Sequence, residues 1–163
     1  MRAIYLSFAC AIILMACNSA NKPADKTVKE ETLSVYDSVL AQEYGADPYG
    51  MKSYVMALLY SGDNKSLDSS EAAEVQAAHL ENMSKLAQEG TLVLAGPFLE
   101  GDSLRGIFIF DVSSLEEAEK LANSDPAIQA GVLKMKLRRW YGSAGVVGIS
   151  DLHKKLSKKS ITE

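Results

Sequence analysis

His79 occupies a position where an apolar side chain is expected. It follows Val75 by four residues and precedes Met83 and Leu86, which together make one stripe of an amphipathic helix. That stripe faces a core, and a polar ring is unusual there. Two readings stand. The imidazole is either buried and satisfied by a strand carbonyl, or reached by a cleft and available as a general base, since histidine titrates near neutrality. Asp125 stands directly before Pro126, the arrangement of a helix N-cap followed by proline at the first helical position. Arg105 and Lys52 fall near strand ends, where a cation either holds a substrate anion or solvates a sheet edge. Tyr54 and Tyr60 alternate onto one face of a strand, where they line a pocket or fill an aromatic core.

Other chemistries find little support. His79, His153 and Cys17 belong to a helix, a tail and the N-terminus, and zinc normally takes four ligands, so no metal is expected. No glycine-rich phosphate loop follows a strand, and no G-x-S-x-G elbow occurs. Nothing specific points to haem or flavin, and no cofactor is expected. Charged residues make up 23% of the 163, with a formal net charge of −4. That balance gives no basic excess for nucleic acid. The one basic cluster, at 153–159, has no interleaved aromatics. It is either a solvated tail or a contact for anionic lipid or wall polymer.

The elements that must position these side chains follow from local signals. KSYVMALLY, at 52–60, is a strand with apolar residues on both faces. Asp68 and Glu71 form a capping-box pattern that opens a helix, and Gly90 ends it. Short strands are expected at 91–95 and 104–112, with Gly96 and Pro97 closing the first. Ser113 and Ser114 cap a second helix to about Asn123, and Pro126 opens a further turn. Gly131 frees the chain for a last alternating strand at 132–141. The order β-α-β-β-α-β predicts an α+β, ferredoxin-like domain: a four-stranded antiparallel sheet with both helices on one face.

The third strand constrains the other face. Leu104, Phe108, Phe110 and Val112 alternate with Ile107 and Ile109, so both faces are apolar. Helices cover only one of them, and burying an isoleucine contributes about 1.5–3 kcal/mol. A second copy of the sheet is the simplest cover, and a homodimer through the open face is expected.

Several segments together resemble the YCII-related family: Ala78-His79-Leu80, QEGTLVLAGPF at 88–98, GIFIFDVSSLEEAEKLANSDPAIQAGV at 106–132, and Arg139-Trp140-Tyr141-Gly142. The resemblance implies a dimeric α/β-barrel-like arrangement of ferredoxin-like sheets. It also implies an active site made by the helix histidine and the aspartate of an SDP motif, here His79 and Asp125. In such a pair the carboxylate fixes the imidazole tautomer, leaving the other nitrogen to take a proton. The implied reaction is proton abstraction beside a carbonyl or carboxylate of a small acid, giving isomerisation or elimination. Arg105 and Tyr54 are the expected substrate contacts. A non-catalytic small-molecule-binding or accessory module is the alternative. The chain departs from the family at Ala127, where an aromatic often follows Asp-Pro, and at Ala77 and Ala78.

The N-terminus carries a separate signal. Arg2 precedes fourteen uncharged residues, Ala3 to Ala16, and the run closes in Leu14-Met15-Ala16-Cys17, after which the chain turns polar. The apolar run falls short of the roughly 20 residues that span a bilayer. The pattern resembles the lipobox of bacterial lipoproteins, with lipidation at Cys17. It also accounts for a cysteine left without a partner once Cys10 is removed. The expected plan is a signal peptide at 1–16, a flexible tether at 17–50, the domain at 51–146 and a basic tail at 147–163. The expected location is the bacterial cell envelope, anchored on the periplasmic side of the inner or outer membrane.

Overall fold

A computed structural model describes residues 36–159. The sheet is built from β1 (Met51–Ser61), β2 (Leu92–Pro97), β3 (Leu104–Phe110) and β4 (Leu133–Ser143). Their order is β2-β3-β1-β4, and every neighbouring pair is antiparallel. Helix α2 (Ser69–Gln88) joins β1 to β2, while α3 (Leu115–Asn123) and α4 (Pro126–Gln129) join β3 to β4. This is the ferredoxin-like α+β arrangement. Local signals set the helix ends. Asp68 accepts from the amides of Ser70 and Glu71, and the Glu71 carboxylate accepts from the Asp68 amide. Gly90, at φ +76°, turns the chain out of α2 in a conformation that other residues avoid.

One sheet face carries the helices. Val55, Ala57 and Leu59 of β1 and Phe108 and Phe110 of β3 pack with Leu92 against Leu86 of α2 and Ala118 and Ala122 of α3. Leu86 is the one buried residue of α2 and lies near its C-terminal end. The opposite end of the helix therefore stands off the sheet, where Gly96 and Gly106 give β2 and β3 no side chains. A Cβ on Gly106 would meet the Gly96 carbonyl oxygen at 2.6 Å, so that approach depends on glycine.

Part of the other face is covered within the chain itself. Ile109 is only 2% exposed in the single chain, clustered with Tyr54 and Val93. Val146 and Val147, from a 3₁₀ turn at Ala144–Gly148, pack on this cluster. The same chain thus supplies a cover that alternation alone had assigned to a second copy, and Ile109 needs no partner to be buried. Met56, Leu58 and Ile107 extend this face and remain half-buried. Lys134, Lys136 and Arg138 stand opposite Tyr60, Leu58 and Met56 on β4, so the uncovered part is strongly basic.

The signal peptide, Cys17 and residues up to 35 lie outside the described residues. From residue 36 the segment expected to be tether is folded. Asp37 caps α1 (Ser38–Glu43). The Asp47 carboxylate then accepts from the amides of Tyr49 and Met51 and from the hydroxyl of Tyr141 on β4. Polar capping and turn contacts hold this stretch, whose sequence carries only weak helical spacing at Leu33, Tyr36, Leu40 and Tyr44. The C-terminal stretch likewise forms a helix, α5 (Ile149–Leu156), rather than a plain tail. No helix among the described residues is long and apolar enough to cross a membrane.

Candidate functional site

The stand-off end of α2 roofs a cavity of about 650 Å³. Its floor is the helix-facing side of β1 and β3, with Leu59, Gly106 and Phe108, and Ala127 of α4 closes one side. His79 reaches it from the α2 stripe, in which Val75, His79 and Met83 are half-buried and Leu86 is buried. The imidazole stacks near Phe108, with centroids 6.0 Å apart and planes inclined by 22°.

Asp125 lies behind the ring. Its side chain is wholly buried, and its two oxygens lie 2.9 and 2.7 Å from His79 Nδ1. One of them also accepts from the Ala127 amide at 2.9 Å, capping α4. The capping and pairing roles therefore coexist on one carboxylate. An ionised carboxylate only accepts hydrogen bonds, so against one Nδ1 would be the protonated nitrogen. Burying this carboxylate without such partners would cost several kcal/mol. Nε2 has no protein partner among the described residues and is not sealed from the cavity. A fixed ring with one engaged and one accessible nitrogen can take a proton from a bound molecule.

The other expected contacts divide. Arg105, exposed on β3, lines the cavity. Tyr54 does not reach it: it is 1% exposed on the opposite sheet face, and its hydroxyl donates to the carbonyls of Ser143 and Ala144. Burial, and next the charge of Asp111, push its phenol above the ordinary tyrosine value. Lys52 is bound to Asp111 at 2.7 Å on that same side of the sheet. The alternation that put Tyr54 on a strand face did not say which face carried the cavity. The sequence reading named neither Gln76 nor Lys65, two lining residues with an amide and a charge to offer. Gln76 stands three residues before His79, so helical spacing held a signal for it. Lys65 sits in the loop after β1, where Asn64 donates to the Ala130 carbonyl and fastens the turn against β4's start. Nothing local marked it. Among the described residues no cluster of three metal-ligating side chains occurs.

Comparison with known proteins bears on the whole domain. Uncharacterized protein YjpA of Bacillus subtilis (strain 168) is 31% identical over 64 residues, covering 39% of this chain and 73% of its own length. Among solved structures, 5-chloro-2-hydroxyhydroquinone dehydrochlorinase from Burkholderia phenoliruptrix AC1100, in complex with 2,5-dihydroxybenzoquinone, aligns with 22% identity and a TM-score of 0.40. That alignment covers 52% of this chain and 92% of the other. Residues 54–141 match the YCII-related domain, a span that takes in both His79 and Asp125 and more than half of the sequence. The chain belongs to the YCII-related family.

Proposed function

We propose that the cavity is the active site of a lyase- or isomerase-type enzyme that abstracts a proton from a small carboxylic acid. His79 Nε2 is the general base and Asp125 its orienting partner. The observation that carries this reading is the 2.7 Å contact between His79 Nδ1 and a carboxylate with no exposed surface, beside an open cavity. The proton leaves a carbon next to a carbonyl or carboxylate and goes to Nε2. The electron pair left behind forms an enolate, which is reprotonated elsewhere or expels a leaving group. Positioned acid–base catalysis of this kind contributes about 10²–10⁴-fold.

The alternative, a binding or accessory module of the envelope, draws on the capping role of Asp125, which needs no catalysis. Exchange of acidic C–H protons in D₂O separates the two. Wild-type protein should catalyse deuterium uptake into at least one small 2-oxo or unsaturated acid, and His79→Gln should lose it. Binding of such acids with no exchange above buffer would favour the module. The lipobox-like pattern at 14–17 supports anchoring of the domain to the cell envelope through lipidated Cys17. Cys17→Ser should then abolish fatty-acid labelling.

A further inference from the structure

We infer that the cavity selects an organic anion and holds its charge between Lys65 and Arg105, two groups supplied by different elements. This rests on the cavity's being the ligand site, and it adds the residues that read the acid's charge and the selection against neutral analogues. The chain as a whole is acidic, with 21 Asp and Glu against 17 Lys and Arg. The cavity reverses that balance: its lining includes Lys65, Arg105 and His79, and no Asp or Glu. The nearby carboxylate of Asp125 is fully buried behind the imidazole and committed to it and to the Ala127 amide. Neither Lys65 nor Arg105 joins an ion pair among the described residues, in contrast to Lys52, Lys134 and Lys154. Both are exposed, so they meet the cavity at its open side.

The deeper lining is apolar, with Leu59, Val75, Leu80, Met83, Phe108 and Leu133. A ligand that satisfies both regions has a compact apolar body and one anionic end. Gln76 adds an amide able to donate to the same end or to a neighbouring carbonyl. The two cations would also meet the charge that develops when a C–H bond beside a carbonyl is broken. Two cations lining one cavity would therefore serve binding and reaction in the same place.

Matched acid and amide probes test this: benzoate with benzamide, salicylate with salicylamide, and cinnamate with cinnamamide. Binding to the chain carrying Cys17→Ser is measured by ligand-observed NMR titration and by thermal shift. At least one acid should bind about tenfold or more tightly than its amide, as expected for one charge-assisted contact. The preference should fall towards parity in Lys65→Gln/Arg105→Gln and return in Lys65→Arg/Arg105→Lys. His79→Gln, which removes the base, should keep the preference, so a failure of the catalytic reading is separable from a failure of this one. Both cations are exposed, and the variants should melt near the parent temperature. The proposal is overturned if the amides bind as well as the acids, if no acid binds, or if the preference survives loss of both cations.

Discussion

His79 Nδ1 lies 2.7 Å from a carboxylate oxygen of Asp125, a residue 46 positions further along the chain and without exposed surface. The same carboxylate holds the Ala127 amide, so α2 and α4 are tied through one side chain. Asp125→Ala should leave both the Nδ1 hydrogen and that amide unpaired in a buried place. A lost cap together with an orphaned buried donor predicts a loss of roughly 2–4 kcal/mol. Denaturant midpoints of the parent and variant measure it. A loss below about 0.5 kcal/mol would mean that the contact does not hold the helices together.

This juxtaposition marks what was legible in the sequence. Asp68 with Glu71, Gly90 and Pro126 each signal a helix boundary through neighbours within a few residues, and all of those ends form as expected. Helical spacing placed His79 on the inner stripe, yet no spacing rule joins it to Asp125; that pairing came from the family resemblance. Lys65 depends on a loop fastened to Ala130, a contact across 66 positions measured from Asn64, and left no local trace. The Ile107 and Ile109 alternation announced a buried second face, and it pointed to a second copy of the sheet as the cover. Val146 and Val147 provide part of it from a turn that has no apolar period of its own.

The reassigned cover changes what a mutation there should do. Ile109→Lys places an uncompensated charge in a cluster that is closed within one chain, and should unfold the domain rather than merely dissociate copies. Circular dichroism melts at several protein concentrations check this, since a purely interfacial effect would depend on concentration. A folded monomeric Ile109→Lys protein would contradict the single-chain cover.

The Tyr141–Asp47 contact gives a pH dependence. The Tyr141 hydrogen bond, and next the Met51 amide, hold the Asp47 carboxyl below its ordinary value. The bond to Asp47, followed by desolvation, raises the Tyr141 phenol. A depressed acid stabilises above its unfolded value, and that contribution is lost as pH falls through the folded value, here below about pH 4. A raised phenol stabilises below its unfolded value and is lost as pH climbs above about 10. Protection of the Met51 and Tyr49 amides, relative to their intrinsic exchange at each pH, should therefore hold between these limits and fall outside them. Tyr141→Phe should lower that protection at neutral pH. Unchanged protection in that variant would show that the clamp lies elsewhere.

The central claim is that Asp125 holds His79 with Nδ1 protonated, so that Nε2 faces the cavity as the base. Long-range ¹H–¹⁵N correlation spectra of the chain labelled at histidine report this directly, with His79→Gln identifying the signals. The neutral His79 ring should show the protonated-nitrogen pattern at Nδ1 and the unprotonated pattern at Nε2, and addition of a bound acid should shift Nε2 more than Nδ1. A neutral ring carrying its proton on Nε2, or an Nε2 signal indifferent to every acid that binds, would contradict the account.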